Sequence, residues 1–348
     1  MTALFLPVGI LVGAGLLALS SISIELFSLQ LLWVGFGILL IFVFYFSDWR
    51  LLLNYRWLIS GLYVLTLVLL VVAYFKGPVI RETRSWLVLG SFHFQPVELA
   101  KVALILIYAQ FFSRRHISIA RWKNIAGSFV LFALPAGLVA LQPDLGSALI
   151  LFGIWFGFLL FSGLPTRRVV AALLVLVALG IFGWSQILKD YQRERILGVV
   201  YPERSVLGIN YSVIQSKIAI GSGGLLGKGY GQGSQVQLGF LPEPATDFIV
   251  SALIEEWGLV VGLVVLGAFL YLVFGIVQIG MAAEHNFEKF IALGAAMVFG
   301  LQFLLNTGSA TGITPVIGIT FPFLSYGGSS ILTSFLLLSL VNAIRRKS

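Results

Sequence analysis

The chain has 348 residues, 59% of them hydrophobic and only 10% charged, with a mean hydropathy of +1.02, against about 45–50% apolar and about 25% charged residues in soluble domains. A water-surrounded core cannot hide that much apolar surface, so an ordinary soluble enzyme and a disordered chain are excluded, and lipid must solvate much of the exterior. The net charge of +8 does not call for nucleic acid, because 22 Lys and Arg spread over short loops are what membrane topology requires; the absence of cysteine excludes disulfides, thiolate catalysis and Cys-ligated zinc.

A helix crosses a bilayer core with about 17–25 apolar residues, and ten such runs follow in order, near 3–19, 28–46, 56–75, 97–112, 125–141, 145–162, 169–188, 248–278, 290–310 and 328–344. The predicted fold class is an all-α polytopic membrane protein of about ten transmembrane helices. It forms a single domain over 1–348, with a long loop, 189–246, between the seventh and eighth helices. The first run has no basic leader and no small-residue cleavage pattern, so it reads as a retained span. Twelve of the 22 cations fall on one side: Arg50, Arg56, Arg114, Arg115, Arg121, Lys123, Arg167, Arg168, Lys289, Arg345, Arg346 and Lys347. Because Lys and Arg concentrate in short cytoplasmic loops, both termini are expected in the cytoplasm and the long loop outside. That loop is polar, and 221–233 (GSGGLLGKGYGQG) holds seven glycines; turns and short interfacial helices are expected there.

Charge at bilayer depth costs roughly 2.5–3.5 kcal/mol on insertion scales, so buried ionisable residues mark candidate sites. Glu98 and Lys101 stand three apart in QPVELAK, where they pair on one helix face, either as mutual neutralisers or as substrate ligands. Asp144, in LQPDLGS, and Asp247, in LPEPATDFIV, each precede a span; Asp144 reads equally as a helix cap or as a functional carboxylate, whereas the residues around Asp247 taken alone favour a helix cap over a functional carboxylate. Glu255 and Glu256 follow in the eighth span, fit for a proton relay or for neutralising Lys101 or another buried cation. The glycine run with Lys228 is either a flexible loop or a backbone nest for pyrophosphate. The stretch 306–330 is broken by Gly, Pro, Thr and Ser, and irregular backbone at this depth requires surrounding protein or water, which predicts a hydrated outer cavity beside it.

FQPVELAK (94–101), LQPDLGSALI (141–150), YQRERI (191–196), YSVIQSKIAIGSGGLLGKGYGQGSQ (211–235), FLPEPATDF (240–248) and PVIGITFPFLSYGGSSIL (315–332) together resemble the shape, elongation, division and sporulation (SEDS) membrane proteins. The wording is closer to the elongation member, RodA, than to the division member, FtsW. The resemblance implies a peptidoglycan glycosyltransferase of the bacterial cytoplasmic membrane. It would polymerise lipid II, extend undecaprenyl-pyrophosphate-linked glycan on the outer face, and work with a class B penicillin-binding transpeptidase. It maps the family's essential carboxylate onto Asp247, as general base, and its other important polar positions onto Glu98, Lys101 and Asp144. Arg193, Arg195, Gln215, Lys228 and Ser325, within or beside the matched stretches, complete the expected substrate-binding set. No cofactor is required, and a divalent cation on the pyrophosphate is compatible with the scheme though no ligand cluster demands it. Departures from the family are Ala245 in place of His, Val250 in place of Phe, Asn210 in place of Gly, and the missing basic leader; the first argues against a mechanism that uses that histidine. Two rival readings share these features: a lipid-linked precursor flippase or transporter, and a noncatalytic scaffold for a transpeptidase.

Overall fold

The computed structural model describes residues 2–47, 55–80, 83–90, 92–114, 121–171, 173–174, 180, 184, 190–201, 208 and 210–345. Long apolar runs become helices because lipid leaves the backbone no other hydrogen-bond partner. The helices among the described residues, which include the short loop helices α7 to α9, are α1 (Thr2–Ile22), α2 (Ile24–Phe46), α3 (Arg56–Lys76), α4 (Pro96–Ser113), α5 (Trp122–Leu141), α6 (Leu145–Phe161), α7 (Asp190–Val200), α8 (Tyr211–Gly223), α9 (Ser234–Gln237), α10 (Ile249–Ala282), α11 (Asn286–Thr311) and α12 (Gly328–Arg345). Eight of these are long and apolar enough to cross a membrane; α6, at 17 residues, is a shorter apolar helix. The expected span at 169–188 lies largely outside the described residues, as do Arg50, Arg115, Arg346 and Lys347. One element was not foreseen: β1 (Leu87–Leu89) and β2 (Phe92–Phe94) form an antiparallel hairpin in the register Leu87 to Phe94, turning at Gly90 with φ 62°.

Local chemistry sets the helix ends. Ser23 caps α2 by accepting from the Leu26 amide, Pro96 opens α4 where its missing N–H costs nothing, and α11 stops at Gly312 in the left-handed conformation. In packing, α4 and α12 form the centre, 72% and 78% buried over their apolar windows, whereas α2 and α5 are 17% and 22% buried and lie at the periphery. Leu31, Phe36, Leu39 and Phe42 on α2, and Val130 and Leu134 on α5, therefore face outward, as apolar residues in contact with lipid do.

Tertiary hydrogen bonds gather one set of helix ends. Ser21 at the end of α1 reaches Glu256, Ser329 at the start of α12 reaches the His93 carbonyl, and Gln95 before α4 reaches Asp144 before α6. Asn306 near the end of α11 holds the Asp247 carbonyl before α10. Thr2 and Arg345 consequently lie at the opposite end of the bundle, with Arg56, Arg114, Arg121, Lys123 and Lys289. The irregular stretch 312–327 folds back into the bundle rather than over it. Phe321 packs on Phe269 and Phe303, Phe323 on Phe299 and Phe335, and a side chain at Gly15 would run into the Leu324 carbonyl. Protein surrounds the part from 321 to 325, and Gly312, Thr314, Pro315 and Val316 line a cavity.

Candidate active site

Asp247 is buried, 8% exposed, in the turn that leads into α10. The cap position of that helix is Phe248, and Asp247 stands one residue before it. The backbone leading into the helix is clamped at three successive carbonyls. The Tyr326 amide donates to Ala245 (2.8 Å), the Ser325 hydroxyl to Thr246 (2.6 Å), and the Asn306 side-chain amide to Asp247 (3.1 Å). Asn306 also donates to the Ile319 carbonyl (2.7 Å), and the Ser325 hydroxyl accepts from the Phe321 amide (2.9 Å). Gln30 of α2 braces the same segment from behind, donating to the Ser325 carbonyl and accepting from the Gly327 amide. The irregular stretch thus supplies the donors to residues 245 and 246, one of them the Tyr326 amide, which a regular helix would keep engaged within itself, while the donor to residue 247 is a side chain of α11. Gln30 and Asn306 were missed in the sequence; each is a buried amide inside a largely apolar helix, and an amide at that depth was the available signal.

A second cluster joins α4 and α6. Lys101 and Glu98 form the ion pair expected from their spacing, Nζ to Oε2 2.8 Å, with both side chains buried. Asp144 caps α6, accepting from the Ser147 amide (3.0 Å) and hydroxyl (2.8 Å), and also accepts from Gln95 (3.2 Å). Burial pushes the Asp144 carboxyl above the usual range; the Ser147 hydrogen bonds and the Lys101 ammonium pull it down, and Glu98 pushes it up. The three residues therefore share one electrostatic neighbourhood.

Lys228 and the two glutamates of α10 form a third group. Glu255, fully buried, accepts from Lys228 Nζ (2.7 Å) and from the Gln235 amide (3.0 Å), while Lys228 also donates to Ser234 (2.8 Å). Glu256 accepts from Ser21 (2.5 Å) and Gln237 (3.2 Å). The ion-pair partner of Glu255 is thus Lys228 rather than Lys101. The amides of Lys228 and Gly229 donate to the Glu255 and Glu256 carbonyls (2.9 Å each), so these two N–H groups are spent on α10 and do not form an open anion nest.

On α7, Arg193 pairs with the exposed Asp190 at 3.6 Å, and Arg195 donates to the Val316 carbonyl at 3.3 Å. Arg195, Asn210, Ser212, Lys217, Thr314 and Val316 are among the residues lining a cavity of about 220 Å³ between α7, α8 and the chain after α11. Gln215 stands half-buried on α8, one residue before Ser216, whose hydroxyl ties that helix to Ser251 of α10 (2.7 Å) and to the Ala310 carbonyl of α11 (2.7 Å). Among the described residues no group of three or more His, Cys, Asp or Glu gathers as a metal site.

The family model for FtsW, RodA and SpoVE, described as "Cell cycle protein", matches residues 4–348. The chain belongs to the FtsW/RodA/SpoVE family. Peptidoglycan glycosyltransferase MrdB of Escherichia coli strain K12 is 40% identical over 273 residues, covering 78% of this chain and 73% of that protein. Stage V sporulation protein E of Bacillus subtilis strain 168 is 33% identical over 303 residues, 87% of this chain and 82% of that one. The crystal structure of the Thermus thermophilus rod shape determining protein RodA superposes with a TM-score of 0.75 at 30% identity, covering 100% of this chain and 97% of that chain. A chain from a structure described as "Structural coordination of polymerization and crosslinking by a peptidoglycan synthase complex" gives 0.86 at 32% identity, covering 100% and 98%. The FtsW/RodA/SpoVE likeness therefore extends over the whole helical bundle.

Proposed function

We propose that this chain is a peptidoglycan glycosyltransferase that polymerises lipid II at the outer face of the bacterial cytoplasmic membrane, as part of cell elongation and shape maintenance. Asp247 serves as general base. The 4-hydroxyl of the acceptor sugar attacks the anomeric carbon of the donor, its proton passes to the Asp247 carboxylate, and the bond from that carbon to the phosphate oxygen breaks to release undecaprenyl pyrophosphate. Leaving-group charge calls for nearby cations; Lys101 and Arg195 are assigned to it, with Glu98 and Asp144 setting the field around Lys101. No cofactor enters this scheme, and a divalent cation, if bound, rides on the pyrophosphate.

The observation that carries the reading is the clamp on residues 245–247. Three donors from two other segments hold the backbone of a buried carboxylate immediately before a helix, the preorganisation that a positioned base requires and that a mere cap does not. The cation distribution supports placing both termini in the cytoplasm, because the site lies at the other end of the bundle. The partner is a class B penicillin-binding transpeptidase, in line with the peptidoglycan synthase complex whose chain this one resembles.

The test uses purified chain in liposomes with lipid II, with and without a cognate transpeptidase, and Asp247→Asn alongside. Glycan chains from the wild type and none from the folded variant are expected. Lipid II crossing the bilayer without polymer would favour the flippase reading, and normal polymer from Asp247→Asn would remove the general-base assignment.

A further inference from the structure

Helix α10 is not continuous. Gly258 has φ 84° and ψ 169°, so the helix is two pieces, 249–257 and 259–282. In an unbroken helix the amides of Leu259 and Val260 would bond the carbonyls of Glu255 and Glu256. Here all four groups are taken by the glycine-rich loop: Leu259 donates to Gly224 (2.9 Å), Val260 to Leu225 (3.3 Å), and Lys228 and Gly229 donate to Glu255 and Glu256 (2.9 Å each). The loop occupies the place of the missing turn. Glycine is required on both sides, because a side chain at Gly227 would run into the Glu256 carbonyl and one at Gly258 into the Leu225 carbonyl. Over this ladder lies the Lys228–Glu255 ion pair at 2.7 Å, with the carboxylate fully buried and the ammonium side chain 26% exposed.

The upper piece, 249–257, begins two residues after Asp247 and is held at its lower end by this clasp, while Ser216 and Gly223 of α8 pack along its length against Ser251 and Ile254. We infer that Lys228 and Glu255 are positioning residues: their ion pair locks the glycine loop onto the break in α10 and so fixes the short helix that directly follows Asp247. This differs from a role for Lys228 as a ligand of substrate pyrophosphate, since its ammonium is already bound to Glu255 and Ser234. The inference rests on the polymerase reading above for its link to rate, but not for its structural content.

Removing Lys228 alone strands a buried carboxylate, whereas removing both charges does not. Lys228→Met, Glu255→Gln and the double variant are therefore compared in full-length protein with lipid II, together with thermal unfolding and hydrogen exchange of peptides covering 249–260. Misplacement of a reacting group by about 1 Å costs about 100-fold in rate. Lys228→Met is expected to lower kcat by about 100-fold with KM for lipid II little changed and to speed exchange across 249–260. The double variant should regain about 10-fold or more of kcat, as contacting residues couple. If Lys228→Met does not purify, the double variant is compared with Glu255→Gln, in which the lysine keeps its access to water, and the double is expected to be no slower. A rise in KM at unchanged kcat would place Lys228 on the substrate and overturn the inference. So would a double variant as slow as Lys228→Met, or a lowered melting temperature with normal kcat in the folded protein. If the wild type itself forms no glycan, the polymerase reading fails on its own, and unchanged exchange over 249–260 in Lys228→Met would then refute the clasp.

Discussion

Replacing Asn306 by Leu tests whether the clamp before α10 sets the position of Asp247. The two side chains share the same number and branching of heavy atoms and leucine's methyl groups take more room, so the change leaves no cavity, but it removes the donor shared by the Asp247 carbonyl (3.1 Å) and the Ile319 carbonyl (2.7 Å). Asn306 is 1% exposed, so water does not replace the lost donor. An unsatisfied buried acceptor costs about 1–3 kcal/mol, which puts the local penalty for two carbonyls at about 2–6 kcal/mol. Relaxation of the turn relieves this by letting residue 247 move, and a shift of about 1 Å at a reacting group corresponds to about 100-fold in rate. The assay is initial-rate polymerisation of lipid II by the purified variant, with thermal unfolding to confirm the fold. A fall of about 100-fold in kcat in a folded protein is expected. Wild-type rate together with an unchanged melting temperature would show that the amide does not hold residue 247, and the argument from the clamp would fail.

Ser325→Ala removes the hydroxyl that links the Thr246 carbonyl to the Phe321 amide and is expected to cost about 1–3 kcal/mol of stability, with a smaller loss of rate than Asn306→Leu. Lys101→Met leaves the Glu98 carboxylate buried and unpaired, a loss of about 3–5 kcal/mol that shows as reduced accumulation in the membrane; adding Glu98→Gln should restore accumulation, and activity restored with it would retire both as substrate ligands. Gly258→Ala forces a non-glycine residue into φ 84° and into the Leu225 carbonyl, costing at least about 1–3 kcal/mol for the backbone alone, measured as a lower melting temperature. Because the Asp144 carboxyl ionises at a higher pH in the fold than its ordinary value of 3.8, folding opposes its ionisation, and its contribution to stability declines as pH rises from about 3.8 through the raised value. Asp144→Asn keeps a capping side chain and should remove that decline in thermal unfolding measured against pH.

The spans were legible because a 20-residue apolar run has few alternatives in lipid; nine of the ten runs lie within a few residues of a helix, from 3–19 against Thr2–Ile22 to 328–344 against Gly328–Arg345. The Glu98–Lys101 pair was legible for the same local reason, since a spacing of three fixes a shared helix face. The clamp and the clasp were not. Both consist of backbone groups meeting across sequence separations such as 245 to 326 and 224 to 259, and composition carries no record of which carbonyl faces which donor.

Gly258, in EEWGLVVG, lies inside the apolar run 248–278 expected as one span, and its backbone conformation and the partners of the freed amides show that the helix stops there and resumes. The same relation explains why the glycine run was open to two readings. Seven glycines in 13 residues suit a flexible loop or an anion nest equally well, yet both presume that its N–H groups are free. The broken helix takes two of those groups, the Lys228 amide on the Glu255 carbonyl and the Gly229 amide on the Glu256 carbonyl, and its own Leu259 and Val260 amides take the loop carbonyls of Gly224 and Leu225. A loop whose polar backbone is consumed in this way is a structural part of α10, and its conformation is as constrained as the helix it completes.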